Sequence, residues 1–150
     1  MASVFSEKRV KDLIGNRTEV WWVTPDTTVY EAALEMRHHR LRAIGVRDSS
    51  GGLVGVVSHS DLSNKIVAQD LEPTEELVQS VMSRDIVAVQ EETSVVECLN
   101  IMLERNINHL AVQGSKFWGL ISRKDVDRAC LEQLDEYAKQ LRSYMFLTGF

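Results

Sequence analysis

The chain has 150 residues, 44% hydrophobic and 26% charged, which suits one compact domain or two small halves sharing a core. Its net charge of −5 argues against a dedicated nucleic-acid binder, which carries a basic excess, but leaves room for a small anionic ligand held by local positive charge. Cys98 and Cys130 have no paired spacing, no apolar run approaches a membrane span, and Lys8-Arg9 comes too early for a signal peptide, so a cytoplasmic location is expected.

Residues 20–24 (Val-Trp-Trp-Val-Thr) are β-branched and aromatic and read as a strand, whose alternation turns one of Trp21 and Trp22 inward. Pro25-Asp26-Thr27 stops it. Thr28 with Glu31 forms a capping-box pattern, and Val29, Ala32, Ala33 and Met36 follow at helical spacing to an end near His38–Arg40. Residues 41–47 read as a second strand, Asp48 to Gly52 as a turn, and 53–57 as a third strand. A helix opens at Ser58–Asp61 and ends near Ala68. A polar linker with Pro73 then leads into a short helix over Glu75–Met82.

The order then repeats. Thr28-Val29-Tyr30-Glu31-Ala32…Met36 returns as Ser94-Val95-Val96-Glu97-Cys98…Met102, and Gly55-Val56-Val57-Ser58-His59-Ser60-Asp61 returns as Gly119-Leu120-Ile121-Ser122-Arg123-Lys124-Asp125. The second copy is two residues shorter between its paired strands, as expected of a hairpin tip. Ile86–Val89, Ile107–Val112 and Phe117–Ile121 are its strands. The fold class is therefore α+β, with two β-α-β-β-α repeats. Residues 1–69 hold the first repeat and a lead-in, 70–80 the linker and the start of a second lead-in, 81–130 the second repeat, and 131–150 an extra C-terminal amphipathic helix.

In that last helix Leu131, Leu134, Ala138, Leu141 and Met145 form one apolar stripe, while Glu132, Asp135, Glu136, Lys139 and Arg142 occupy other faces. Two coverings are open: packing onto its own domain, or an intersubunit helix. A membrane-surface helix does not fit, because the polar face is not basic.

The repeat unit resembles the cystathionine-beta-synthase (CBS) domain, and the tandem pair resembles a Bateman module, over about residues 9–130. The resemblance rests on the Val10–Ile14 lead-in, the Thr28–Ala32 helix start, the Leu41–Val46 strand and the Gly-x-x-Ser-x-x-Asp ending, most of them present twice in the same order. The tail Arg128–Tyr144 also resembles the last helix of small bacterial stand-alone members. The resemblance implies two repeats related by a pseudo-two-fold axis and paired into disc-shaped homodimers. It implies an adenine nucleotide (AMP, ATP or NAD(H), sometimes S-adenosylmethionine) in clefts between the repeats.

A carboxylate can accept hydrogen bonds from both ribose hydroxyls, which makes Asp61 and Asp125 the candidates. Ser58 and Ser122 can donate to phosphate from strand-to-helix turns, where free N–H groups and the helix dipole favour anions. Ser-x-x-Asp is equally a capping pattern, and the two readings are compatible. In the family each pocket is composite. The resemblance assigns Asn16, Trp21, Leu41, Arg42, Asn108, Leu120, Ser122 and Lys124 to the Asp125 site, and Ser83, Val87, Ile107, Asn108, Val56, Ser58 and Ser60 to the Asp61 site. Arg42 and His109 are expected on inward strands, as phosphate partners or as solvated strand-end groups. Arg123 and Lys124 give the Asp125 site the better local charge.

Trp21 departs from the family's small or aliphatic residues there; it could stack on adenine, block the pocket, or simply fill core. Gly45 and Ala111 stand where many members carry proline. His38 and His39 are expected to be solvated or to interact with their helix end, and Cys98 to be inert core.

The expected function is an adenine-nucleotide-sensing regulatory module, acting in trans on an unidentified protein target, because these residues hold no effector domain. The alternative is a dimerisation or scaffold protein with empty or blocked pockets. The sequence has no nucleophile–base pair, no Walker loop and no zinc spacing, so an enzyme, a metal, a nucleic-acid partner and a membrane partner are not expected.

Overall fold

The structure is a computed structural model that describes residues 7–15, 17–114 and 116–147. No helix among them is long and apolar enough to cross a membrane. In chain order the elements are α1 (Val10–Ile14), β1 (Trp22–Val23), α2 (Val29–His38), β2 (Ala43–Arg47), β3 (Leu53–Ser58), α3 (His59–Leu62), a π-helical turn (Ser63–Val67), α4 (Val78–Val81), β4 (Ala88–Val89), α5 (Val95–Arg105), β5 (His109–Gln113), β6 (Phe117–Ser122) and α6 (Arg123–Leu147). They form two three-stranded sheets, ordered β1-β2-β3 and β4-β5-β6. The cap hydroxyls engage at both helix starts: that of Thr28 accepts from the Glu31 N–H and that of Ser94 from the Glu97 N–H, each at 3.1 Å.

The chain divides into two compact units that do not coincide with the sequence repeats. The Trp21 unit comprises residues 17–88 and 111–120. Here β1 runs parallel to β2 in the register Trp22↔Gly45, and β2 runs antiparallel to β3 from Ala43↔Ser58 to Val46↔Gly55. Alternation turns Val46 and Val57 onto α2, which supplies Val29, Ala32 and Met36 to the core. Val78 and Val81 of α4, with Met82 just after it, complete that core, although they follow the linker. They are tied in by backbone bonds from Val78 N–H to Thr27 C=O (2.8 Å) and from Gln79 N–H to Pro25 C=O (3.1 Å), and by a reciprocal pair between Val56 and Ser83.

The Asp125 unit draws on residues 1–16, 89–110 and 121–150 and mirrors this exchange. The first lead-in docks on the start of α5, with Val10 N–H donating to Thr93 C=O (2.8 Å) and Val95 N–H to Lys8 C=O (3.0 Å). Each repeat's lead-in therefore closes the other repeat's helix, burying Val10 and Val78 completely. Each such valine is worth about 1.5–3 kcal/mol of burial. α6 buries Val126 and Ala129 and is held to the lead-in by Lys8, whose ammonium lies 2.6 Å from Glu132.

Two expectations, both about the opening strands, need correction. The opening strands are only two residues long, and Val20 and Trp21 lie outside β1. Neither Trp21 nor Trp22 turns into the core; both are exposed, and the Arg47 guanidinium sits 4.9 Å from the Trp22 ring. The C-terminal helix is present as the later part of α6, since no Gly or Pro interrupts residues 123–147. On the Leu131–Met145 stripe Ala138 is half-buried, while Leu131, Leu134, Leu141 and Met145 are exposed.

Candidate functional site

The Trp21 unit holds a cleft of about 200 Å³ lined by Arg17, Glu19, Val20, Trp21, Leu41, Ala43, Ile44, Gly45, Gly119 and Leu120. Two glycines shape it. A side chain on Gly45 would meet Leu53 and the Phe117 ring at 3.0 Å, and one on Gly119 (φ +93) would meet the Arg17 guanidinium at 2.9 Å. Arg17 donates to the Leu120 carbonyl at 3.2 Å. Trp21 lies at the rim with one face covered by His39, ring centroids 3.5 Å apart and planes within 11°. His39 is positioned from its other side by Glu35, at 3.1 Å. The pair thus neither fills core nor stays fully solvated.

Both Ser-x-x-Asp segments form working caps, but with different outcomes for the carboxylate. In the Trp21 unit, Asp61 Oδ2 accepts from the Ser58 N–H (2.9 Å) and hydroxyl (3.1 Å). Its other oxygen holds Lys65 Nζ at 2.9 Å, and Lys65 is fixed in turn by the Val81 carbonyl at 2.8 Å. The Ser58 hydroxyl also contacts that of Ser60, at 3.0 Å. In the Asp125 unit, Asp125 Oδ2 likewise accepts from the Ser122 N–H (3.2 Å) and hydroxyl (2.8 Å), but Oδ1 has no partner among the described residues. The second copy has Ala129 where the first has Lys65.

The expected site residues fall as follows. Trp21, Leu41 and Leu120 share the cleft. Val56 and Ser83 are paired through backbone, and the Val87 carbonyl accepts from Ala111. Arg42 precedes β2 rather than lying on it, is exposed, and accepts at its carbonyl from the His59 N–H (3.0 Å), which places its backbone beside the Asp61 cap. Asn108 does the same for Arg123 (2.7 Å), beside the Asp125 cap. Ile107 and His109 are half-buried, before and at the start of β5. Lys124 is exposed, whereas Arg123 is turned to Asp127 at 2.9 Å, so the charge expected from Arg123 is already partnered. Asn16 lies outside the described residues.

A CBS domain model matches residues 10–68 and 78–132. The chain belongs to the CBS domain family. The CBS pair is 33% identical over 117 residues to an uncharacterized 17.7 kDa protein of Acidianus ambivalens, covering 77% of this chain and 70% of the relative. Several other curated relatives are much longer, the chain spanning only 16–19% of their length. Among solved structures it is similar to the CBS-domain protein ATU1752 of Agrobacterium tumefaciens (28% identity, TM-score 0.73, covering 81% of this chain and 97% of that one). It is also similar to CBSX2 in complex with AMP (25% identity, TM-score 0.66, covering 83% and 97%).

Within this CBS pair, sequence reasoning missed Arg17, Glu19, Val20, Ala43, Ile44 and Gly119 as cleft residues, and Lys65 as the group that occupies Asp61. The Lys65 signal was available: an Asp–Lys pair at i,i+4 in the first copy is replaced by Asp–Ala in the second. Among the described residues no group of three or more His, Cys, Asp or Glu could hold a metal ion. Cys98 is buried on α5, and that burial pushes its thiol pKa up to about 11; burial also raises that of Cys130.

Proposed function

We propose that this CBS pair is a regulatory module that senses an adenosine-containing ligand of the AMP, ATP or NAD(H) type and passes its state to a separate protein target. The observation that carries the reading is the open Oδ1 of Asp125, a carboxylate oxygen already oriented by Ser122 and able to accept from ribose hydroxyls. Within the Trp21 unit by itself, Val20, Leu41 and Ile44 give the cleft apolar walls of the kind that suit a flat base. Lys124, exposed one residue before Asp125, offers positive charge to phosphate. That a related protein, CBSX2, was crystallised with AMP supports the ligand class. Asp61 is the weaker candidate, because a ligand there must displace Lys65. Signalling requires only that the ligand prefer one arrangement of the chain over another, by a differential affinity. Self-association of the chain and a cytoplasmic location belong to the same reading.

One observation favours the alternative, a scaffold with closed pockets: the cleft of about 200 Å³ is smaller than the roughly 300–1,000 Å³ of ordinary ligand sites, and Trp21 stands at its rim. A native mass spectrum of freshly purified protein separates the two. A mass increment matching a nucleotide, lost in Asp125→Ala, supports sensing. A bare chain that stays bare after incubation with AMP, ATP, NADH and S-adenosylmethionine contradicts it.

A further inference from the structure

The pairing of Asp61 with Lys65 differs from the Arg123–Asp127 and Lys139–Asp135 pairs at the same i,i+4 spacing. In those the carboxylates are 46% and 62% exposed, the condition of solvated pairs that contribute little. Asp61 is only 13% exposed, with Lys65 Nζ 2.9 Å from its Oδ1. The same ammonium donates to the Val81 carbonyl, at the end of α4, at 2.8 Å. Lys65 therefore fastens a carboxylate of the first repeat to the lead-in that follows the linker, all within the Trp21 unit.

The backbone at Lys65 also departs from the second copy. Lys65 lies in the π-helical turn, where the Ala68 N–H donates to the Ser63 carbonyl at 2.9 Å. Turns of this kind interrupt α-helices most often at functional positions. In the second copy α6 is α-helical from Arg123 onward and places the buried Ala129 at the equivalent position. The caps themselves match. Oδ2 of each aspartate accepts from its cap serine, and the carbonyls of Arg42 and Asn108 accept from His59 and Arg123, the residues after those serines. The copies part at the second carboxylate oxygen, which at Asp61 is taken by a cation of the chain itself. We infer, resting on the nucleotide reading, that Lys65 is a latch that closes the first Ser-x-x-Asp site, its ammonium standing where a ligand hydroxyl would donate to Asp61 Oδ1. Lys65 then decides how many adenosine-containing ligands the chain takes: one with the latch in place, two without it. A ligand entering at Asp61 has to break both the ion pair and the tie to α4, and hydrogen bonds made by charged groups are the costlier ones to lose.

Calorimetric titration of AMP into the full chain tests this with the parent, Lys65→Ala, Asp125→Ala and Lys65→Ala/Asp125→Ala. Position 65 is exposed, so Lys65→Ala is expected to keep the far-UV circular dichroism of the parent. The parent is expected to bind one AMP per chain and Lys65→Ala two. Asp125→Ala is expected to bind roughly tenfold or more weakly than the parent, and Lys65→Ala/Asp125→Ala to recover that loss through Asp61. Adding Asp61→Ala to the double variant should remove the recovered binding, and Lys65→Arg, which keeps a cation, should bind one AMP like the parent. A gain of binding is a readout that a merely structural role of Lys65 would not produce. A parent that takes two AMP, a Lys65→Ala variant that takes one, or a double variant that recovers nothing while the parent binds would overturn the latch and leave the nucleotide reading standing. Recovered binding that survives Asp61→Ala would do the same. No binding by any of these proteins would overturn both.

Discussion

Replacing Asp125 and Asp61 in turn separates ligand contact from helix capping. Each carboxylate accepts two hydrogen bonds from its cap serine, so either alanine variant should lose about 0.5–2 kcal/mol of stability. Affinity should respond unequally. Asp125→Ala removes a charged acceptor whose Oδ1 has no other partner among the described residues, and losing even one charge-assisted hydrogen bond costs about 1.5–3 kcal/mol. That is roughly a 10- to 150-fold rise in Kd for AMP. Asp61→Ala removes an oxygen committed to Lys65, so the shift should stay below about threefold, or ~0.7 kcal/mol. Asp125→Asn is the control: its amide oxygen can still accept from the Ser122 N–H and hydroxyl, so stability should be largely kept while affinity falls. Calorimetric titration gives the affinities and urea unfolding the stabilities. Equal affinities for parent and both alanine variants would refute the reasoning, as would a larger loss in Asp61→Ala.

The buried Cys98 thiol makes stability pH-dependent. Its folded pKa of about 11 lies above the ordinary thiol value of 9.0, so the native chain keeps a proton that the unfolded chain releases, and about 2–3 kcal/mol present below pH 9 is lost as pH rises towards 11. Urea unfolding across that window should show the loss in the parent and a flatter profile in Cys98→Ala. Gly119→Ala should destabilise by about 1–2 kcal/mol, since φ +93 and the Arg17 guanidinium at 2.9 Å both oppose a side chain; a variant as stable as the parent would contradict that geometry. Val78→Ala, in α4 beyond the linker, should cost about 1–3 kcal/mol and lower the unfolding midpoint reported by Trp21 and Trp22 fluorescence, because Val78 is fully buried in the core of their unit. An unchanged midpoint would mean that the lead-in exchange contributes little.

Much of this fold is written in local chemistry. Thr28/Glu31 and Ser94/Glu97 mark the helix starts because a cap is a short-range bond, and the turn at Asp48–Gly52 is legible because Asp48 accepts from Ser50 and Gly52 within it. What the residues concealed was long-range. Val20 and Trp21 have strand propensity, yet the strand is only Trp22–Val23, because only those residues find partners on β2. Trp21 instead stacks on His39, at the end of α2. The exchange of lead-ins cannot be read from Val10 or Val78 alone, since nothing local says which helix each will cover. The α6 stripe was visible, but periodicity does not tell which stripe faces the core; the smaller Val126 and Ala129 do. At the site, both Ser-x-x-Asp segments were legible as equals, and Arg123 and Lys124 suggested the inequality. What differs in the structure is the pairing: Arg123 is tied to Asp127, Lys65 occupies Asp61, and Ala129 stands at the position equivalent to Lys65 in the second copy.

The central claim, an adenosine-containing ligand recognised through Asp125, is tested most directly by thermal unfolding of the full chain in AMP, ATP, NADH and S-adenosylmethionine. A ligand that binds the native state at a hundredfold excess over its Kd stabilises by about 2.7 kcal/mol. The account predicts a saturable rise in Tm of several degrees with at least one of the four, retained in Asp61→Ala and abolished in Asp125→Ala. Unchanged melting at millimolar concentrations of all four, or a rise that Asp125→Ala leaves intact, would contradict it.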